Sequence, residues 1–341
     1  MRSIQIRRRL AASLAVVTLA FAGAGCATDR QVIAQASDTH NQLKPAVLSD
    51  SELAGYIQTM GRRVVDAARA LDAQGFGPKS HKKEDDAWMF SDQMAFHFVN
   101  SETLNAFTTG GTHMYIYTKL LTTCSSEDEL AAVVAHEYGH VYARHVHKGM
   151  NRQYLALGGG AAAGIGAYLL GGKEHGAEYG PIAAGLGLAA GQFINMGYTR
   201  DDEAEADKLG FQFYTHAGWD PDRFGDFFQR MIDMGLDTQS EMMSDHPSLK
   251  SRVDDAKKHA AGLPPEASSW RKAPVADPAR FHTLQARAEK LAKTMPDDKS
   301  LEAAKLLLAA VPSCLLPQDQ PEQKAAQQRL RQALEMASAK P

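Results

Sequence analysis

The chain has 341 residues, with 37 Lys plus Arg against 40 Asp plus Glu, 44% apolar residues and three cysteines. A net charge of −3 and ordinary charge content exclude an acidic disordered chain and a nucleic-acid binder that depends on a basic surface. The length suggests about two domains and suffices for a hydrophobic core without a disulfide framework.

The first 25 residues contain four arginines, Arg2, Arg7, Arg8 and Arg9, followed by a charge-free run from Leu10 to Cys26. A basic start, a short apolar stretch and the small residues Ala22 to Gly25 are expected to form a cleaved export signal over residues 1–25. Its removal leaves 40 acids against 33 basic residues, so the mature charge is −7. Gly23-Ala24-Gly25-Cys26 resembles a lipobox, which makes Cys26 a candidate for lipidation. Gly23 departs from the usual Leu there, and ordinary cleavage after Ala24 is the alternative. Cys124 and Cys314 then remain, either as a disulfide in an oxidising compartment or as two buried thiols.

Residues 26–48 read as a polar linker. Ser49-Asp50-Ser51 offers caps for a helix to about Leu71, and strand-like runs follow at Met94–Val99 and Thr112–Tyr117, joined through Thr109-Gly110-Gly111. Ser125 or Ser126 caps an acidic-ended helix expected to reach Lys148. Thirteen of the 28 glycines then fall between Gly158 and Gly197, within a Gly/Ala-rich insert over 156–197. Closely packed small-residue helices or a flap suit that insert better than a membrane hairpin, because glycine keeps its hydrophobicity low. A second acidic helix contains Arg200–Phe213, and an amphipathic one runs from about Pro221 to Met234. Beyond Leu263-Pro264-Pro265, helical stretches near 278–294, 299–310 and 321–338 form a C-terminal extension, 264–341, without candidate chemistry.

His136-Glu137-Tyr138-Gly139-His140 places two imidazoles one helical turn apart, about 40° around the axis, so both can reach one metal ion. Glu137 stands beside that pair as a proton-accepting carboxylate. A catalytic zinc needs a third ligand and an open position. The positions of a metzincin's Gly and third His hold Ala143 and Val146, which leaves downstream acids. Glu203 and Asp207 lie one turn apart in Arg200–Asp207; Glu203 can complete a His-His-Glu set and Asp207 can hold a ligand histidine's free N–H. His145 and His147 read as structural or as supports behind the ligands, and His113 as a residue able to line the cleft.

These features, with Asn105-Ala106-Phe107 and His246-Pro247-Ser248 followed by Arg252, resemble the CAAX prenyl protease and HtpX group of gluzincins, metallopeptidase family 48. The match spans roughly residues 45 to 255 and suggests a periplasmic lipoprotein subgroup, that of the beta-barrel assembly-enhancing protease, without evident tetratricopeptide repeats. The resemblance implies an α+β fold: a mainly helical zincin domain over 49–263 with a small sheet, followed by the helical extension. It implies one Zn2+ per chain on His136, His140 and Glu203, Glu137 as general base, and Asp207 and Arg252 behind the ligands. His246 is similar to a histidine that approaches the zinc, either as a plug or as a catalytic donor. The strand near Gly111, with Thr112, His113, Met114 and Tyr115 and the preceding Asn105, is expected to bind extended peptide as an exposed edge.

The expected function is a zinc endopeptidase of a Gram-negative periplasm, anchored at the outer membrane through lipid. It would act on unfolded or misassembled envelope proteins, with the outer-membrane assembly machinery as a further partner. The alternative is an assembly factor or chaperone that binds through the edge strand with little proteolysis.

Overall fold

The long helices that frame the centre of the chain start on side-chain caps. The computed structural model describes residues 29–77, 87–156, 198–237, 247–315 and 321–338. Residues 1–25, expected to be an export signal, Cys26, the Gly/Ala-rich insert beyond Ala156 and His246 lie outside them. Asp50 accepts from the backbone N–H groups of Glu52 and Leu53 and starts α2 (Ser51–Ala73). Ser126 accepts from Glu129 N–H and starts α4 (Glu127–Tyr142), whose first turn holds Glu127, Asp128 and Glu129.

The span 26–48, read as a linker, is helical where it is described. Helix α1 (Asp29–Leu43) runs into a 3-10 turn, Lys44–Ala46, and buries Val32, Ala36, Leu43 and Ala46 completely. That apolar face was diluted by polar neighbours in the sequence. Asp29 anchors its start beyond the end of α4, on Arg144 at 2.7 Å and His147 at 2.9 Å.

Three strands form the sheet: β1 (Ala95–Val99), β2 (Ala106–Thr108) and β3 (His113–Tyr117), in the order β1-β3-β2. β1 pairs parallel with β3 in the register Ala95↔His113, and β2 pairs antiparallel in the register Ala106↔Ile116. β3 is therefore the central strand rather than an exposed edge, and its backbone groups are engaged on both sides. Met114, Tyr115, Ile116 and Tyr117 are fully buried. The short β2, too brief for a periodicity signal, supplies the pairing that the sequence did not reveal.

After the short α3 (Thr118–Thr123) and α4, the chain breaks at Arg144, whose φ of 57° is left-handed, and resumes as α5 (His145–Ala156). The continuous helix to Lys148 is thus two helices. The break turns His145 back toward His140. Helix α6 (Arg200–Ala217) packs along α4 and begins with a reciprocal capping box between Thr199 and Asp202.

Glu127 is buried, yet its carboxylate accepts from Tyr56, Trp219 and the backbone N–H groups of Val275 and Ala276. A satisfied buried carboxylate of this kind ties α2, α4, the loop after α6 and the start of the C-terminal part together. Helices α7 (Asp226–Asp233) and α8 (Leu249–Ala261) follow, and then α9 (Pro278–Thr294), α10 (Lys299–Ala310) and α11 (Pro321–Ser338), close to the expected spans. The architecture is α+β and mainly helical, as expected. Among the described residues no helix is long and apolar enough to cross a membrane.

Candidate metal centre

Helix α4 carries the two histidines and α6 the acids, and two glycines let the helices approach at backbone distance. A β-carbon on Gly139 would lie 2.8 Å from the carbonyl oxygen of Ala206, and one on Gly210 would lie 2.9 Å from His136 Cα. This contact brings α6 close enough for Glu203 to reach between the imidazoles. The Nε2 atoms of His136 and His140 face each other at 3.1 Å. Glu203 Oε2 is 3.5 Å from His136 Nε2, and Oε1 is 3.8 Å from His140 Nε2. All three residues are fully buried.

The outer nitrogens are held as well. Asp207 Oδ1 lies 2.8 Å from His136 Nδ1. His140 Nδ1 lies 2.9 Å from His145 Nδ1, and His145 Nε2 lies 3.0 Å from Glu205 Oε2. In that chain Glu205 accepts from His145 Nε2–H, which makes His145 Nδ1 an acceptor for His140 Nδ1–H. Both histidines then present an Nε2 lone pair to the same point, as ligation of one metal ion would require.

Arg252, on α8, donates to Asp207 from Nε at 2.8 Å and from Nη2 at 2.7 Å, and its guanidinium lies 3.9 Å from the centre of the Phe228 ring. Burial pushes the Asp207 carboxyl up, but Arg252 and His136 overcome it and hold the group at about 2. Burial and the Arg252 charge push the His136 imidazole down, yet Asp207 and Glu203 leave it at about 9. The carboxylates therefore favour positive charge at this point. Burial raises Glu137 to about 7, against the opposing pull of His136 and Cys314.

A family model described as peptidase family M48 matches residues 84–260, which is more than half of the chain. The chain belongs to peptidase family M48. Among relatives in that family, the beta-barrel assembly-enhancing protease of Yersinia pestis is 28% identical over 227 residues, covering 65% of this chain and 42% of its own. The mitochondrial metalloendopeptidase OMA1 of Saccharomyces cerevisiae is 27% identical over 173 residues, or 48% of this chain and 46% of its own. Metalloprotease LoiP of Escherichia coli (strain K12) is 27% identical over 154 residues, or 45% and 57%. The chain thus spans less than half the length of the first of these relatives.

Two imidazoles and a carboxylate that converge in a buried pocket are a donor set that fits the zinc of an M48 peptidase. Each of His136, His140, Glu203 and Cys314 offers a ligand atom, and these atoms lie within 4.8 Å of one another. Glu137 Oε1 accepts from the Cys314 thiol at 2.7 Å, while its Oε2, fully buried, has no hydrogen-bond partner among the described residues. Among the described residues no donor competes for that oxygen, as suits a group meant for water or substrate.

Several expectations are corrected here. Cys124 and Cys314 are both free and buried, not bridged: Cys124 ends α3, where its carbonyl accepts from Gln285, whereas Cys314 faces Glu137. The C-terminal extension, read as free of candidate chemistry, brings Cys314 to within 2.7 Å of Glu137 Oε1. His113 is 3.0 Å from His97 and stacks on His40 with ring centroids 4.1 Å apart, so it belongs to a separate histidine cluster. Asn105 is fully buried and donates to the carbonyl of Val311. Gly111 packs against Ala36 of α1, and Thr112 is buried.

Tyr198 was visible only as the start of the acidic string. Its ring stacks on His140 at 3.9 Å, and its buried hydroxyl has no partner among the described residues. Neither Tyr198 nor Cys314 has a helical spacing to the histidines, so no periodic signal pointed to them.

Proposed function

We propose that this chain is a zinc endopeptidase of the bacterial envelope, with His136, His140 and Glu203 as the metal ligands and Glu137 as the general base. The observation that carries the reading is the convergence of these three donors beside the buried Glu137, whose Oε2 has no partner among the described residues. Zinc on that set would supply a water acidified toward neutral pH and a Lewis acid for the scissile carbonyl.

The remaining work falls to the protein. Glu137 takes a proton from the attacking water and returns it to the leaving amine, a task suited to a carboxyl raised to about 7. Asp207 and the His145–Glu205 pair hold the two imidazoles in the ligating tautomer, and Arg252 fixes Asp207. The Tyr198 hydroxyl is the neutral donor available for the developing oxyanion. His246, outside the described residues, is the other candidate, either for that role or as a plug.

Export through residues 1–25 and lipid on Cys26 would hold the enzyme at the periplasmic face of the outer membrane of a Gram-negative cell. Similarity to the beta-barrel assembly-enhancing protease supports unfolded or misassembled envelope proteins as substrates and the assembly machinery as a partner. The assembly-factor alternative cannot use β3 as its edge, because β3 is paired on both sides, and would have to bind elsewhere.

Glu137→Gln tests the mechanism. Zinc content should stay at one per chain, while cleavage of an unfolded β-barrel protein falls by about 10²- to 10⁴-fold, the span of a general base. Proteolysis at the wild-type level would refute the assignment. Metabolic labelling with a fatty acid, lost in Cys26→Ser, tests the anchor.

A further inference from the structure

The segment Val311–Leu315 leaves the end of α10 and runs into the metal centre. Val311 and Leu315 are fully buried, and Ser313 and Cys314 are 5% and 3% exposed. Elements of the family-matched region grip its main chain: Asn105 Nδ2 donates to Val311 O at 3.3 Å, and Arg252 Nη1 donates to Cys314 O at 2.7 Å. Tyr117 donates to Leu308 O at 2.7 Å, at the end of α10. From the other side, Gln323 and Gln327 of α11 donate to the carbonyls of Val311 and Ala310.

These contacts aim the Cys314 sulfur at polar atoms rather than into an apolar pocket. Sγ is 2.7 Å from Glu137 Oε1 and belongs to the same four-residue group of donors as His136, His140 and Glu203. A buried structural cysteine ordinarily packs as a small hydrophobe. Here its sulfur lies within 4.8 Å of the ligand atoms of His136, His140 and Glu203, and the neighbouring Glu137 Oε2 is buried without a partner among the described residues. Cys314 lies outside the residues 84–260 that match the family, so the C-terminal segment adds this donor.

We propose that Cys314 closes the metal centre as a fourth ligand, and that residues 311–315 cover that centre and keep the folded chain latent until the segment withdraws. This rests on the zinc peptidase reading above. Two imidazoles, a carboxylate and a thiolate complete the tetrahedral set that zinc favours, and such a closed set leaves no position for water. The proton lost by the thiol on ligation passes to the Glu137 carboxylate at 2.7 Å. With the sulfur on the metal and against Glu137 Oε1, both are covered by one short segment, and its withdrawal uncovers both.

The mature chain loaded with Co2+ tests this without reference to turnover. Wild type should show a near-ultraviolet sulfur-to-cobalt charge-transfer band, absent in Cys314→Ser, with the visible cobalt bands kept in both. Cobalt binding without the sulfur band in wild type overturns the proposal and leaves the peptidase reading intact; no metal binding at all removes both. Cys314→Ala should raise cleavage of an unstructured peptide by about tenfold or more, as expected when the open form is a minor population. A double variant, Gln323→Ala with Gln327→Ala, keeps the thiol but loosens the segment, and should weaken the band and raise cleavage several-fold. If both variants are folded by circular dichroism and neither gains activity, latency is overturned.

Discussion

Gly210 of α6 and His136 of α4 meet backbone to backbone: a β-carbon at Gly210 would lie 2.9 Å from both the Cα and the backbone nitrogen of His136. The spacing of the ligand-bearing helices is thus set by the absence of a side chain. Gly210→Ala should push α6 away, at a cost of about 1–3 kcal/mol for overpacking, and carry Glu203 away from the imidazoles. Chemical denaturation and zinc competition should both register the change. Gly55→Ala, where nothing lies within 4 Å in an exposed part of α2, should instead stabilise by about 0.5–1 kcal/mol. Equal effects at the two sites would contradict the close-contact account.

Asp207 accepts from His136 and Arg252 at once, so Asp207→Asn removes charge from a buried cluster without changing its size. Metal affinity should fall about 10- to 100-fold, the usual effect of losing a group that orients a ligand histidine. Competition against a chromophoric chelator measures it. Unchanged affinity would mean that Asp207 holds only Arg252.

Glu129 is 2% exposed, and its carboxylate accepts from Arg230 at 2.7 and 2.8 Å and from Ser125 at 2.6 and 2.8 Å. Burial raises this carboxyl, but Arg230 and Ser125 outweigh it and hold it below its ordinary value. Its stabilisation is therefore present above the unfolded-state value of about 4.3 and is lost as pH falls through the lower folded value. Glu129→Gln should cost about 2 kcal/mol at pH 7, the scale of a charge-assisted hydrogen bond, and the gap to wild type should narrow in acid. Urea unfolding at several pH values checks the sign.

Two buried free thiols make a further count testable. With Cys26 replaced by serine, the denatured chain should titrate two thiols without reductant, Cys124 and Cys314, and the native chain almost none. A reductant-dependent rise would restore the disulfide.

Much of this protein could be read locally. The pair His136 and His140, the capped start of α4 and the one-turn spacing of Glu203 and Asp207 follow from helical geometry within short windows, and so they were legible before any fold was known. The helices of the C-terminal part were legible for the same reason. What escaped were relationships across long separations. The central position of β3 depends on a three-residue strand, Ala106–Thr108, too short to show alternation. The apolar face of α1 became visible only when Ala36 was placed against Gly111.

Sequence alone determined the chemistry on offer: two histidines, a glutamate between them, and acids at the right period to join them. Only tertiary structure decided what shares the pocket. It set Gly139 and Gly210 at the helix contact, turned His145 back onto His140, and delivered Cys314 to Glu137 from 177 residues away. Periodicity reports neighbours one turn apart; contacts between distant segments arise from packing, which no short window of sequence contains.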